Sequence, residues 1–270
     1  MSRRFTLGTV TGFAVAALAA ALTIGAPPAF SIHADTARPP TNHTGAPYWH
    51  DWDIARGVML QHVNSGGYVV NAWGGLHPFG GAPALMPRPP YGPGLAYVQG
   101  GALQGDDLGG VVIDARGTVF SFGTLTGGPV NVCDQSPRVG VPIRGVALDP
   151  TATSGPTSYD TKGATLDAWG GIHLLCNSPA IDTTGAPYWR GVPIARSLAI
   201  TEDGAGGITG GFVLDGWGGV HPFGHAHLTT APVAYWRGWD IARSISVDGH
   251  GNGDVLDGLG GLHPFTYTVS

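Results

Sequence analysis

A short glycine-rich unit recurs five times along this 270-residue chain and restricts the folds open to it. Two clear copies begin at Gly67 (Gly-Tyr-Val-Val-Asn-Ala-Trp-Gly-Gly-Leu-His-Pro-Phe-Gly) and at Gly211, and a third begins at Asp254. More divergent copies begin at Val111 and Ala164. Their equivalent acidic or amide positions lie 42 to 53 residues apart: Asn71, Asp114, Asp167, Asp215 and Asp257. Self-similarity at this period is typical of repeat architectures, in which each copy is one structural unit.

A second element precedes the copies and combines apolar residues with an arginine. It occurs at 54–58, 143–147, 194–198 and 241–245, with a poorer match at 98–102. We interpret it as the first strand of each unit and the Val-Leu-Asp stretch as the second. The Asp-Gly-Trp-Gly-Gly sequence is typical of a hairpin turn, and Leu-His-Pro-Phe predicts a short third strand with its proline near an edge. The preceding Pro-Tyr-Trp stretches predict a fourth, outermost strand.

The two ends of the repeat region are complementary. The segment Thr41–Trp49 mirrors Asp182–Trp189, whereas the last copy is followed only by residues 266–270. We therefore expect the N-terminal strand to join the last blade and close a ring, which removes exposed strand edges. Four short antiparallel strands every 40–50 residues are typical of a propeller blade. The sequence predicts an all-β fold: a single five-bladed β-propeller over 41–270, with blades of about four antiparallel strands.

The composition excludes several other classes. The chain has 46 Gly and 22 Pro, but no glycine at every third position as collagen requires. It is 43% hydrophobic and 11% charged, which is unlike a disordered chain. A net charge of −5 with only 13 basic residues offers no footprint for nucleic acid.

The N-terminal residues have the order of an export signal. Arg3 and Arg4 precede an uncharged stretch over 5–26, followed by small residues. Residues 1–34 therefore predict a signal peptide or, because the apolar stretch is long enough to span a bilayer, an uncleaved N-terminal anchor. Residues 35–40 are expected to be a linker, and the remainder to be secreted or in the extracellular envelope. Export permits a disulfide between Cys133 and Cys176, with two separate buried thiols as the alternative.

The strongest copies, at Gly67, Gly211 and Asp254, carry a resemblance to a known group. Their Arg-containing strand and Gly-Tyr-Val-Leu-Asp-Gly-Trp-Gly-Gly-Leu-His-Pro-Phe-Gly pattern are similar to the secreted β-propeller repeats of actinobacterial proteins. The resemblance covers 41–265 and is weakest in the second copy. It implies a propeller and an envelope or extracellular setting, and it implies no activity.

The repeated histidines have two interpretations. They lie on the predicted third strands, so their Cα atoms are expected to spread around the ring, too far apart for a metal shell. We expect instead a structural role, in which an aspartate and a histidine brace each hairpin. The pairs singled out for this role are Asp215 with His221 and Asp257 with His263. No metal and no cofactor are predicted.

Arginines and tryptophans supply the candidate binding residues. On the first strands the arginines form either a ring that binds an anion or a set paired with Asp53, Asp240 or neighbouring blades. In the hairpin turns the tryptophans either stack on sugar or protein ligands or pack between blades. The candidates are Arg56, Arg144, Arg196, Arg243, Trp73, Trp169 and Trp217.

Two functions from different classes remain. The first is an exported, monomeric, non-catalytic binding propeller that recognises a glycan, a peptide or a cell-envelope component. The alternative is a propeller glycoside hydrolase or lyase that uses Asp residues in the irregular loops of blades two and three. No residue pattern in the chain points to a particular catalytic group, so no catalytic residue is predicted.

Overall fold

The five units of the sequence correspond to five small antiparallel sheets. In a computed structural model of the chain, residues 40–125, 140–151, 161–176, 178–203, 207–230 and 234–270 are described. These residues form sixteen β-strands and no helix. The protein is therefore all-β, and each sheet, numbered 1 to 5 along the chain, contains one copy of the repeat.

Each sheet begins with the arginine-containing strand and continues into a hairpin. Sheet 1 comprises β1 (Ala55–Leu60), β2 (Gly67–Asn71) and β3 (Leu76–Phe79). Sheet 2 comprises β4 (Val98–Leu103), β5 (Gly109–Asp114) and β6 (Val119–Gly123). Sheet 3 comprises β7 (Ile143–Leu148), β8 (Gly163–Asp167) and β9 (Ile172–Leu174). Sheet 4 comprises β10 (Ala195–Glu202), β11 (Ile208–Asp215) and β12 (Val220–Gly224). Sheet 5 comprises β13 (Ala226–Thr230), β14 (Ala242–Val247), β15 (Asn252–Asp257) and β16 (Leu262–Val269).

Within the described residues, sheets 1 to 4 have three strands each, fewer than the predicted four or so per blade. The Pro-Tyr-Trp stretches form connectors rather than outer strands. The N–H of Trp49 donates to the carbonyl of Leu259 at 2.7 Å, and the N–H of Trp189 donates to that of Trp169 at 2.7 Å. Both carbonyls lie in the hairpin turn of another sheet, so these donors serve contacts between sheets. Sheet 5 has a fourth strand, β13, which pairs with the end of β16.

The N-terminal segment does reach the last sheet, but the prediction that it adds a strand there is wrong. It contacts sheet 1 through the N–H of Asn42, which donates to Ser65, and through Thr44, whose carbonyl accepts from Gly80. Its Trp49 contacts sheet 5, as described above. The segment is therefore a connector between sheets 5 and 1, equivalent to the one that precedes sheet 4.

The first strands pack against one another in sequence. Strand β1 contacts β4, β4 contacts β7, β7 contacts β10, β10 contacts β14, and β14 contacts β1. Small residues permit this approach: a Cβ on Gly57 would lie 3.0 Å from the backbone nitrogen of Gly101. Apolar side chains fill the spaces between sheets, with Phe79, Phe122, Phe223 and Phe265 fully buried.

Residues 36–270 form one compact unit. Among the described residues there is no helix long and apolar enough to cross a membrane. The predicted signal peptide or anchor over 1–34 lies outside the described residues.

Candidate binding face

In four of the five sheets the hairpin turn contains an aspartate whose side chain accepts hydrogen bonds from N–H groups of the same turn. In sheet 4, Oδ1 of Asp215 accepts the N–H of Trp217 at 2.8 Å and of Gly219 at 3.0 Å. Its Oδ2 lies 2.9 Å from Nε2 of His221. Burial by itself raises the pKa of Asp215, but these hydrogen bonds outweigh it and lower the pKa, so the carboxylate is ionised. The hairpin turn of sheet 4 is therefore braced by an ionised carboxylate that accepts hydrogen bonds at both oxygens.

The bond between the turn residue and the histidine recurs in other sheets, but the turn residue is not always an aspartate. In sheet 5, Oδ2 of Asp257 lies 3.0 Å from Nε2 of His263. In sheet 1 an amide replaces the carboxylate, and Asn71 Nδ2 lies 3.1 Å from Nε2 of His77. Each histidine is bonded within its own sheet, and no cluster of metal-ligating side chains occurs among the described residues. The histidines therefore act locally.

The Gly-Gly pair of the motif leaves room for the brace and for the connector. In sheet 5, Gly260 has φ +96°, and a Cβ on it would lie 2.4 Å from the carbonyl oxygen of Pro47. A Cβ on Gly261 would lie 2.3 Å from Oδ2 of Asp257. The connector tryptophan then packs edge-on against the histidine of the next sheet, as Trp236 does on His263 at 4.9 Å between ring centroids.

The tryptophans predicted as ligand contacts lie in these turns and are half-buried: Trp73, Trp169 and Trp217. The carbonyls of Trp169 and Trp217 each accept the N–H of a connector tryptophan at 2.7 Å. Trp73 packs edge-on against Trp52, with 5.1 Å between ring centroids. These three residues thus serve the packing between sheets while keeping part of each indole exposed.

Because Ala55 pairs with Asn71 and Ala242 with Asp257, the first strands begin beside the hairpin turns. We call this end of the sheets the arginine end. All four predicted arginines, one at the start of each of four first strands, lie here: Arg56, Arg144, Arg196 and Arg243.

Three of these arginines form one chain of ion pairs with two aspartates. Nε of Arg196 donates to Asp240 at 2.9 Å, and Nη1 of Arg243 donates to Asp240 at 3.2 Å. Nε of Arg243 also donates to Asp53 at 3.0 Å, and Nη1 of Arg56 donates to Asp53 at 2.9 Å. Burial raises the pKa of Asp53, but the hydrogen bond and charge of Arg243 outweigh it and lower the pKa. The sequence left open whether the arginines bind an anion or pair with aspartates. Arg56, Arg196 and Arg243 pair with aspartates.

Arg144 differs from the others because no carboxylate contacts it within the described part of the chain. Its Nη1 donates to the side-chain carbonyl of Gln99 at 2.8 Å. Its Nε is buried and makes no hydrogen bond there. Burial lowers the pKa of Arg144, and the nearby positive charge of Arg196 lowers it further. Arg144 is the member of the group whose bonding capacity is incompletely used.

Exposed apolar side chains occupy two repeated connector positions, eight and four residues before the arginine or glutamine of four of the five first strands, β7 with Arg144 being the exception. We call this set the apolar crown: Tyr48, Trp52, Tyr91, Leu95, Tyr188, Val192, Tyr235 and Trp239. Their exposed fractions run from 49% to 69%. Since these connectors bond to the hairpin turns, the crown lies at the arginine end.

The crown is a surface feature that the sequence alone does not predict. The Pro-Tyr-Trp stretches were assigned to outer strands, where half of the side chains would face the protein. The signal that identifies the set is the constant eight-residue spacing from the tyrosine to the first-strand arginine or glutamine, seen for Tyr48 and Arg56 and again for Tyr235 and Arg243. Exposed apolar patches are typical of interaction sites, which makes the crown a candidate for one.

A narrow cavity lies between the first strands. All five contribute to its wall, through Leu60, Leu103, Leu148, Ile200 and Val247 among others. Its volume of about 40 Å³ has room for about three water molecules. A sugar ring of ordinary size therefore does not fit inside this cavity.

The opposite end of the first strands carries the chain's one glutamate. Burial raises the pKa of Glu202, and Asp149 and Asp203 raise it while His62 lowers it. The backbone N–H of His62 donates to Asp107 at 2.8 Å, and its Nδ1 lies 3.2 Å from the same oxygen. These groups come from sheets 1 to 4. The aspartates among them also accept backbone N–H groups, Asp107 from Val63, Asp149 from Thr151 and Asp203 from Gly207.

Only one cysteine of the predicted disulfide, Cys176, lies within the described residues. Cys176 follows β9 and is disulfide-bonded. Cys133 lies outside the described residues, as do the loop residues 152–160 of the third unit. The pairing of these two cysteines stays a prediction.

Comparison with known proteins identifies no family. No protein-family model matches the chain, and no curated protein matches it. Among solved structures, the chain is similar to a structural genomics protein of unknown function from Bacteroides thetaiotaomicron. The identity is 11% and the TM-score 0.41, over 84% of this chain and 75% of that chain. A likeness at this level carries no conclusion about function.

Proposed function

We propose that this protein is a five-bladed β-propeller whose ring is closed by the N-terminal connector. Two observations support the proposal. The first strands contact one another in a sequence that returns from β14 to β1. The segment 42–49 joins sheet 5 to sheet 1 through the same type of bonds that join sheet 3 to sheet 4. A closed ring has no unpaired outer sheet at either end.

Within this architecture, we propose a non-catalytic binding protein that recognises a cell-wall or extracellular glycan at the arginine end. The apolar crown is the observation that carries the proposal. Tyrosine and tryptophan rings offer flat apolar faces with a polar edge, which suits the alternating apolar and hydroxylated faces of sugars. Repetition of the crown around several connectors favours a repetitive ligand. The amino-terminal sequence, which favours export, agrees with an extracellular ligand of this kind.

A hydrolase or lyase remains the second candidate, favoured by the groups around Glu202. A carboxyl group with a raised pKa is suited to act as a general acid, and His62 beside Asp107 is suited to act as a base. Other aspartates invoked by the sequence interpretation have structural bonds, since Asp106 accepts the N–H of Leu108. Asp134 and Asp160 lie outside the described residues.

The test is affinity electrophoresis of the purified chain through gels that contain wall polysaccharides, with released sugars measured in parallel. We expect retardation without product release. Replacement of Trp52 and Trp239 by alanine should abolish the retardation, whereas Leu108→Ala, at an equally exposed leucine outside the crown, should leave it unchanged. Product release that is lost in Glu202→Gln would establish the hydrolase instead.

A further inference from the structure

One arginine at the arginine end, Arg144, lacks among the described residues the aspartate partner that Arg196 and Arg243 have in the next sheet. Arg196 bonds to Asp240, which lies three residues before the arginine of the next sheet, and Arg243 bonds to Asp53 in the same relation. For Arg144 the equivalent position in the next sheet is Pro193. Proline offers only a carbonyl, and that carbonyl accepts a hydrogen bond from Arg196.

The missing carboxylate leaves the group with an excess of positive charge. Four guanidinium groups share two carboxylates, Asp53 and Asp240. The positive charges of Arg196, Arg243 and Arg56 act on Arg144 and are only partly offset there by the negative charge of Asp240. In a partly desolvated position such charges attract an anion more strongly than isolated surface arginines do.

The hydrogen bonding of two guanidinium nitrogens of Arg144 is defined by the structure. Nη1 is occupied by Gln99 at 2.8 Å. Nε is buried without a partner among the described residues. Arg144 as a whole is half-buried, so a ligand can approach only the part of this side chain that faces solvent. A guanidinium N–H there would donate a charge-assisted hydrogen bond to a carboxylate.

We infer that Arg144 binds the carboxylate of an acidic sugar, so that the glycan bound at this face is rich in uronic acids. The inference rests on the proposed glycan-binding function. Sugar rings of the polymer lie on the crown, and one carboxylate reaches the arginine group. Trp239 is adjacent in the chain to Asp240, which places one aromatic ring of the crown beside the arginine group.

A pair of polymers that differ only in charge tests the inference. Polygalacturonate and its fully methyl-esterified form have the same sugar ring, and esterification removes the carboxylate. We expect the protein to bind polygalacturonate at least tenfold more tightly, as befits charge-assisted hydrogen bonds. Arg144→Gln should remove this preference and leave binding of the ester unchanged. Arg237→Gln, which removes the same charge from an exposed connector position, should change either affinity by less than about threefold.

A second variant guards against a folding defect. Pro193→Asp places a carboxylate where Asp53 and Asp240 stand in the other sheets. It should pair with Arg144, raise the melting temperature and abolish the preference for polygalacturonate.

The possible failures are distinguishable. Equal binding of both polymers, unaffected by Arg144→Gln, would overturn the inference and leave glycan binding standing. Binding of neither polymer would remove the inference, and loss of binding to every polysaccharide in the panel would remove the proposed function too. Tighter binding of poly-L-glutamate than of polygalacturonate would overturn the sugar as the source of the carboxylate.

Discussion

Nε2 of His43 lies 3.0 Å from Oδ2 of Asp254, across 211 residues of sequence. The carboxylate is fully buried in β15, whereas His43 belongs to the connector that precedes sheet 1. The ring of His43 also packs edge-on against Phe79 of β3, with 6.1 Å between centroids. One side chain of the N-terminal segment therefore contacts both the first and the last sheet.

Asp254 occupies a position that is apolar in related sheets. It lies opposite Pro264 in the register, as Phe212 lies opposite Pro222 and Tyr68 opposite Pro78. A buried carboxylate at a core position is stable only when it is hydrogen-bonded or neutralised. His43 supplies that bond, which ties the fold of sheet 5 to the N-terminal connector.

The first prediction follows from this contact. His43→Ala should destabilise the protein by about 3 kcal/mol, because it leaves the buried Asp254 without its imidazole partner. For a domain of this size, that loss lowers the melting temperature by roughly 6–12 °C. His50→Ala removes a histidine paired with Asp51 at the same 3.0 Å but almost fully exposed, and it should leave the melting temperature unchanged. Equal melting temperatures of the two variants would show that the contact between His43 and Asp254 does not stabilise the protein.

The second prediction concerns pH. The hydrogen bond to Asp254 raises the pKa of His43, and burial raises the pKa of Asp254, to which the charge of Asp248 also contributes. Both directions mean that the folded pair holds more protons than the unfolded chain. The contribution of His43 is therefore complete below its ordinary pKa of 6.5 and is lost as the pH rises through the raised value. The contribution of Asp254 is complete only below its ordinary pKa of 3.8 and is lost as the pH rises through its own raised value. Urea unfolding at pH 6 and pH 9 should show this loss in the wild type and a smaller one in Asp254→Asn. An equal pH dependence in both proteins would contradict the assignment to this pair.

The third prediction is the disulfide between Cys133 and Cys176, the two cysteines of the chain. Alkylation under denaturing, non-reducing conditions should label neither thiol, and reduction should expose both. The closed loop of about 43 residues contributes roughly 3–4 kcal/mol in the chain-entropy model. The Cys133→Ser and Cys176→Ser single variants should lose similar stability. Two free thiols in the oxidised, purified protein would rule the crosslink out.

The sequence predicts well those hydrogen bonds and strand positions that depend only on residues of one hairpin. Asp215, Gly219 and His221 lie within seven residues, and the bonds among them follow from the local turn. Strand positions follow for the same reason, since alternating apolar residues and turn signals are local. The number of strands per sheet is different, because it depends on where the N–H of a residue such as Trp49 finds its acceptor.

Contacts between distant segments explain the other omissions. Nothing near Asp254 in the sequence shows that His43 reaches it, and nothing near Thr266 shows that it pairs with Thr230 of β13. The crown escapes the sequence because its tyrosines lie in segments that predict strands. The arginines and their pairing with Asp53 or Asp240 are predicted, but which arginine reaches an aspartate of the next sheet is not. Such partners become visible only when the sheets are placed side by side.

The last prediction separates structural histidines from metal ligands. His221→Ala and His263→Ala each remove one bond to a turn aspartate, at 2.9 Å and 3.0 Å. Both histidines are partly exposed, so each loss should cost only about 1 kcal/mol. The two effects should be additive in the double variant, because the braces lie in different sheets.

Sheet 2 provides a natural control for this test. Phe120 stands at the histidine position there and packs edge-on against Tyr97, with 5.6 Å between centroids, while Asp114 still accepts the turn N–H groups of Arg116 and Thr118. His221→Phe should therefore recover part of the stability that His221→Ala loses. Calorimetry of the single and double variants, with metal content measured on the same samples, decides the matter. Stoichiometric metal that disappears with either histidine, and a double variant no less stable than the singles, would establish a shared metal site instead of independent braces.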